Sequence, residues 1–375
     1  AVVLTAGMDG DHGDGRTHRQ AMLEAAKPHV FRLLGPNCVG LLAPELKLNA
    51  SFAPTDALPG KVAFVSQSGA LVTAVLDWAR ARDIGFSYFI SLGDASDVDV
   101  GDVLDFLATD PHTQSILLYL EDIRSARKFM SAARAAGRNK PVVILKAGRV
   151  PEGARAAASH TGALAGHDAV YDTAIRRAGL LRVLTTEALF DAVETLARAR
   201  PLISESLIIL TNGGGPGVMA TDALMLSGGE LATLSENTMA ALDKVLPPNW
   251  SRSNPVDIIG DAPVSRYQQA LSMLLEHQPS NPVLFIHAPT AIVPSAEIAR
   301  ALAPVMQQSR HHVIACWMGG ASVDEAREIF SQAALPHFGT PEEAVQGFMQ
   351  VVEHRRNQRL LMEVPSTGTP YDHLD

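Results

Sequence analysis

Short apolar runs alternate with amphipathic stretches along almost the whole chain, among them KVAFVS at 61–66, SILLYL at 115–120, LIILTN at 207–212 and PVLFIHA at 282–288. Runs this short, bounded by turn residues and separated by stretches of helical period, spell strand and helix in turn. That is the pattern of α/β proteins with parallel sheets. Strands are expected at 1–6, 30–34, 61–66, 86–91, 115–121, 141–147, 207–212, 282–288 and 312–318. Helices are expected at 18–27, 70–82, 101–108, 125–136, 167–178 and 187–199, and then near 217–226, 236–245, 264–277, 295–308, 322–333 and 341–355. A long loop is expected from Gly148 to Gly166.

Breaks in the alternation suggest domains. Segment 1–56 reads as a single βαβ unit, too small to hold its own core, and Pro54–Gly60 reads as a linker. Residues 57–200 and 201–355 form two larger blocks that open alike, with an apolar strand, a small-residue turn and a helix. Residues 356–375 are polar, carry Pro365 and Pro370, and read as a linker or tail. A chain of 375 residues has room for two or three domains.

A net charge of −9 argues against general nucleic-acid or anionic-membrane binding. Aromatic residues at 5% leave little for base-stacking platforms. Two cysteines, Cys38 and Cys316, exclude a disulfide scaffold or a cysteine zinc cluster and suit a reducing cytoplasm. No apolar run approaches the ~18–20 residues of a membrane span. The chain opens on an apolar run with no initiator Met, so it is expected to start inside a domain of a longer protein.

Several turns could carry chemistry. Ser66-Gln67-Ser68-Gly69 joins a strand to a helix, where unpaired backbone N–H groups and the helix dipole attract phosphate. The same residues also suit an ordinary Ser N-cap. Asn212-Gly213-Gly214-Gly215-Pro216-Gly217 lets backbone approach a ligand closely, or simply makes a tight turn. It matches neither a Walker A motif nor a dinucleotide fingerprint. His160, in SHTGALAG, sits among small residues after a strand. Its imidazole could act as nucleophile, base or phosphate carrier, or be a surface-loop histidine. Glu121 ends a strand, where ligand sites of open α/β sheets lie, and could support an imidazole or be a solvated strand-end carboxylate. Asn254-Pro255 reads as a plain turn and Cys316 as core. Asp94, Asp97 and Asp99 do not fit an EF-hand loop and read as a solvated turn, so no metal site is expected.

GPNCVG, SQSGAL, SHTGALAG and TNGGGPG, in this order, resemble the NDP-forming acyl-CoA synthetases, relatives of succinyl-CoA synthetase. The similarity runs from about residue 30 to 355. It implies tandem flavodoxin-like parallel-sheet domains preceded by the remnant of a CoA-binding Rossmann domain. It also implies a three-step reaction. Acyl-CoA and phosphate exchange to acyl phosphate and CoA, the acyl phosphate phosphorylates a histidine, and the phosphohistidine passes its phosphoryl group to ADP on an ATP-grasp domain. His160 takes the phosphohistidine position and Glu121 that of its supporting carboxylate. Ser66, Gln67, Ser68 and Gly69 fall at one phosphate-facing helix start, and Asn212, Gly213, Gly214, Gly215 and Gly217 at the other. No resident cation is expected beside them. Asn37 and Cys38 fall towards CoA, and Thr73 where the acyl pocket lies.

The Gly-rich CoA-binding turn and the Mg-dependent ATP-grasp domain are expected outside these residues, on a partner domain or subunit of a homo- or hetero-oligomer. By itself the chain is expected to bind CoA poorly and not to bind ADP. Stretches such as GFSYFISLGDASDVDV also resemble the synthetase-like region of bacterial GNAT-fused protein lysine acetyltransferases. That implies an alternative role as an acyl-CoA-sensing regulatory region with a C-terminal GNAT domain.

Overall fold

The computed structural model describes residues 1–81, 84–161 and 166–363, with the side chains of residues 81, 158–161 and 194 outside that description. It divides into two compact units, Ala1–Val193 with the stretch from His354 onward, and Glu194–Glu353.

The first unit contains strands β1 (Gly40–Ala43), β2 (Leu48–Ser51), β3 (Pro59–Ser66), β4 (Phe86–Ser91), β5 (Ser115–Leu120), β6 (Val142–Lys146) and β7 (Leu181–Val183). Its helices are α1 (His18–Ala26), α2 (Gly69–Ala81), α3 (Val100–Thr109), α4 (Ala126–Asn139), α5 (Pro151–Thr161), α6 (Asp168–Arg177) and α7 (Thr186–Arg198), the last running on into the second unit. The sheet order is β2-β1-β4-β3-β5-β6-β7. From β4 to β7 every pairing is parallel, which gives the flavodoxin-like arrangement with β3 central. Successive side chains point to opposite faces of a strand. Ala63, Val65, Ile116, Leu118 and Ile144 therefore share one face and pack on Leu104 and Leu107 of α3 and Phe129 and Ala132 of α4.

Three local expectations fail here, each for a physical reason. Segments 1–6 and 30–34 meet through the single bridge Val2↔Leu34 rather than as strands. The edge next to β4 is instead taken by β1, antiparallel through Leu41↔Ile90 and Leu42↔Phe89, and β2 folds back on it. Residues 148–166 are not one loop: PEGARAAASHT forms α5. Pro151 suits a first helical turn and the alanines favour helix, but the segment has no apolar stripe to announce it. The last helix, introduced below, runs past 355. Asn357 Nδ2 donates to the Leu180 carbonyl at 2.7 Å, and Gln358 Nε2 to those of Gly137 and Gly179 at 2.9 and 2.8 Å.

The second unit follows the same plan. Its strands are β8 (Ser206–Thr211), β9 (Glu230–Leu231), β10 (Val256–Asp257), β11 (Val283–His287), β12 (Val313–Trp317) and β13 (His337–Phe338). Its helices are α8 (Gly214–Leu226), α9 (Glu236–Leu242), α10 (Val264–His277), α11 (Ser295–Gln308), α12 (Asp324–Gln332) and α13 (Pro341–Met362). The sheet order is β10-β8-β11-β12-β13, with β9 also on β8, all parallel. Ile208, Leu210, Phe285 and Trp317 face Tyr267, Leu271 and Leu302. Leu207, Ile209, Leu284 and Cys316 face Ala220, Leu224, Val345 and Phe348. Among the described residues no helix is long and apolar enough to cross a membrane.

Candidate functional site

Open parallel sheets place ligands beyond the C-terminal ends of their strands. In the first unit the exits of β3 and β5 are stitched together there by one side chain. Gln67 Oε1 accepts the backbone N–H of Glu121 at 2.6 Å and of Asp122 at 3.0 Å, and its Nε2 donates to the Asp122 carbonyl at 2.9 Å. The hydroxyl of Ser66, fully buried at the end of β3, donates to the Ser68 carbonyl at 2.9 Å and accepts the Ser68 N–H at 3.0 Å. These bonds close the turn, and α2 begins at Gly69. The Ser68 hydroxyl accepts the Leu71 N–H at 3.4 Å, a loose N-cap. The side chains expected to meet phosphate are therefore engaged in shaping the turn. What the start of α2 leaves open is its first-turn N–H groups, which no helical carbonyl reaches.

Asn37 and Gln67, from two separate motifs, and the strand-end Glu121 line one cavity of about 40 Å³ with Gly93, Asp94, Asp122 and Arg124. Gly93 is needed for this approach. It has φ +56, and an added Cβ would collide with the carbonyl oxygens of Pro36 and Asn37. Asp94 accepts from Asn37 Nδ2 at 3.1 Å and from Arg19 at 2.8 Å. Asp97 accepts the Leu33 N–H at 2.7 Å and pairs with Arg32, and Asp99 caps α3. All three carboxylates serve the protein's own backbone or cations.

Cys38 and Thr73 are not among the described residues that line this cavity. Cys38 is buried, its Sγ donates to the Val3 carbonyl at 3.3 Å, and burial pushes its thiol up. Thr73, half-buried on α2, returns its hydroxyl to the Ala70 carbonyl at 3.0 Å. His160 lies near the C-terminal end of α5, on a helix rather than a loop, and its side chain is outside the described residues. So are residues 162–165 of SHTGALAG.

The second unit repeats the hydroxyl turn atom for atom and the amide clamp in outline. Thr211, ending β8, donates to the Gly213 carbonyl at 2.9 Å and accepts the Gly213 N–H at 3.1 Å, as Ser66 does with Ser68. Asn212 then clamps the exit of β11, accepting the Ala288 N–H at 2.9 Å and donating to the Ala288 carbonyl at 2.8 Å, as Gln67 does at the exit of β5. The helix starts three residues after the hydroxyl in both, at Gly69 and Gly214. Gly214, Gly215 and Gly217 open α8 around Pro216, which has no N–H. At Gly217 an added Cβ would press on Pro255 and Thr211, each at 3.2 Å. The clamped residues are Glu121 and Asp122 in one unit and Ala288 alone in the other, so of the two exits only that of β5 carries carboxylates.

One buried cation carries no sequence signal. Lys146, the last residue of β6, is 4% exposed. Nothing in the sequence signalled its burial, because a lysine at a strand end is usually solvated. A variant tests the clamp. Gln67→Leu removes the oxygen that accepts the Glu121 and Asp122 N–H groups and is expected to destabilise the chain by roughly 2–4 kcal/mol in urea unfolding. A change below about 0.5 kcal/mol would show that the bonds do not hold the exit of β5.

Residues 59–196 match the succinyl-CoA ligase-like flavodoxin domain and residues 207–351 the ligase-CoA domain. The chain is 39% identical to the ADP-forming acetate–CoA ligase I of Archaeoglobus fulgidus over 92% of its own length and 49% of that protein's. It is 35% identical to the α subunit of the ADP-forming acetate–CoA ligase I of Pyrococcus furiosus over 92% of its length and 74% of that subunit's. The chain thus spans about half of the first relative. Among solved structures, the dinucleotide-forming acetyl-coenzyme A synthetase 1 of Ca. Korarchaeum cryptofilum, in complex with phosphate and ADP, superposes with a TM-score of 0.87 at 34% identity, over 96% of this chain and 78% of that one. With both unit folds, the strand-exit turns and these relatives in agreement, the chain belongs to the ADP-forming acyl-CoA ligases of the succinyl-CoA ligase type.

Proposed function

We propose that the chain is the α-type core of an ADP-forming acetate–CoA-like ligase, interconverting acyl-CoA, ADP and phosphate with carboxylate, CoA and ATP. One observation carries this reading: Asn37 and Gln67, from two separate motifs, and the strand-end Glu121 line the same cavity at the strand exits. Phosphate displaces CoA from acyl-CoA, the thiolate leaving with the thioester electron pair. The His160 imidazole then attacks phosphorus of the acyl phosphate and the carboxylate leaves. Phosphohistidine finally passes the phosphoryl group to ADP. Each transfer needs positioning and charge stabilisation more than covalent machinery.

Glu121 is the carboxylate that supports the imidazole. The first turn of α2, from Gly69, and that of α8, at Gly214 and Gly215, each offer backbone N–H groups to phosphate, while Ser68 and Gly213 close the turns that lead into them. Asn37, Cys38 and Thr73 are assigned to the CoA and acyl side. Residues up to 56 carry the end of a CoA-binding Rossmann domain, with β1 and β2 joined to the sheet of the first ligase domain, and the second ligase domain runs on through α13 to Met362 ahead of the tail. ADP and Mg belong to an ATP-grasp partner, as domain or subunit of an oligomer. The ligase activities named for the relatives favour this reading over an acyl-CoA-sensing region of a GNAT-type acetyltransferase. Incubation with acetyl phosphate labelled in its phosphoryl group tests the central step without a partner. The expected result is an acid-labile, alkali-stable label on the chain, and its absence overturns the reading.

A further inference from the structure

Lys146 presents a physical problem. Its ammonium is almost wholly removed from water, and such burial penalises a charge by several kcal/mol unless something compensates it. The twin unit shows that the fold does not need a charge there. Lys146 ends β6 in register with Leu120 of β5, and Trp317 ends β12 in register with His287 of β11. The two positions correspond, and in the second unit the position holds a fully buried apolar ring. The lysine therefore answers to something the first unit has and the second lacks. The difference one strand away is the carboxylate pair Glu121–Asp122 at the clamped exit of β5.

The surroundings fit that answer. Lys146 Nζ donates to the Ala147 carbonyl at 2.5 Å and lies 4.4 Å from the centre of the Tyr171 ring. The Tyr171 hydroxyl donates to Asp122 Oδ1 at 3.3 Å. Asp122 in turn is held through its backbone by Gln67. Burial pushes the ammonium down from the ordinary lysine range, against the opposing pull of Asp122, Asp168 and Glu121, while Arg182 adds to the fall. Arg182 is itself paired with Asp168 and Asp172 of α6. The ammonium thus sits between the exit of β5 and α6, on a residue five positions before α5 starts and carries His160.

We propose that Lys146 is a positioning residue for phosphoryl transfer at His160: its buried ammonium is the counter-charge that holds the Glu121–Asp122 exit of β5, through Tyr171, in the geometry the histidine needs. The inference rests on the ligase reading above. It assigns Lys146 no contact with phosphate and no proton transfer in the reaction.

The test is the rate of labelling of the chain by phosphoryl-labelled acetyl phosphate, for wild type, Lys146→Met, Lys146→Ala and His160→Asn. Methionine fills the site without charge, and the apolar occupant of the twin position argues that such a chain folds. Circular dichroism and the thermal midpoint check it. Lys146→Met is expected to label at least about tenfold more slowly than wild type, equivalent to about 1.4 kcal/mol. Lys146→Ala is expected to regain rate when ethylammonium is added. The wild-type rate is expected to fall on the alkaline side, below the ordinary lysine range, as Lys146 loses its proton, and Lys146→Met is expected to lack that limb. A wild-type rate in Lys146→Met overturns the proposal. So does a loss in Lys146→Ala that no alkylammonium restores, or an alkaline limb that survives in Lys146→Met, because a merely structural role would give both. A wild type that takes up no more label than His160→Asn overturns the ligase reading instead, and the Lys146 role with it.

Discussion

His160→Asn is expected to abolish the acid-labile phosphoryl label that acetyl phosphate leaves on the wild-type chain. A phosphoramidate on imidazole survives alkali and hydrolyses in acid, whereas serine and threonine esters resist acid, so the lability identifies the acceptor type. Asparagine keeps polarity and approximate size but offers no ring nitrogen to attack phosphorus. Loss of a covalent nucleophile is not partial, and the rate should fall by roughly a thousandfold or more, to background. The chain contains 13 histidines, so a general reactivity of exposed imidazoles would survive the substitution almost unchanged. Label remaining in His160→Asn at the wild-type level would place the acceptor elsewhere and remove His160 from the mechanism. The measurement is tryptic mapping of the labelled chain at alkaline pH beside the time course of both proteins.

How much of this was written in the sequence depends on the range of the interaction. Strand β4 and helices α10 and α11 begin and end where apolar period and flanking turns put them. Strands β7, β9, β10 and β13, at two or three residues each, are too short for a period to register. Helix α5 escaped because its alanines carry propensity without an amphipathic stripe. The four glycine- and serine-rich motifs were legible because close backbone approach demands small residues wherever the partner lies. What the side chains within them do was not legible. Gln67 meets Glu121 across 54 residues, and Asn212 meets Ala288 across 76. No local pattern distinguishes an amide that clamps a neighbouring strand from one that binds a ligand. The alikeness of the two units, faint in sequence, is plain once Ser66 and Thr211 are seen closing the same hydrogen-bonded turn. That correspondence turns Lys146 from a strand-end lysine into a departure from a shared plan.

The second unit is expected to lose stability steeply as pH falls from 6.5 towards 5, before most carboxylates titrate. Two histidines are responsible. His287, fully buried at the end of β11, lies with Nε2 3.0 Å from the Ser295 hydroxyl and Nδ1 3.3 Å from that of Tyr267, among the rings of Phe285 and Trp317. His312, 2% exposed, accepts the Arg200 N–H on Nδ1 at 3.2 Å, and its Nε2 has no partner among the described residues. Burial pushes each imidazole down to about 4 from an ordinary 6.5, with Arg200 adding to the effect at His312. Both are neutral in the folded chain across this window, while the unfolded chain takes up a proton at each. The unfolded state therefore binds more protons, and stability rises with pH between 4 and 6.5, is complete above 6.5 and drains away as pH falls towards 4. Each histidine accounts for about 3 kcal/mol over the whole window, and the pair for about 6, a large share of a typical domain's stability. Hydrogen exchange of the β11 and β12 amides at pH 7 and pH 5 measures it in the second unit alone. The double variant His287→Gln, His312→Gln keeps hydrogen-bonding capacity and cannot titrate, so its protection should change far less between the two pH values. If it loses protection as steeply as the wild type, the acid sensitivity resides in carboxylates or in the part-buried His311, and the two core histidines are structural spectators.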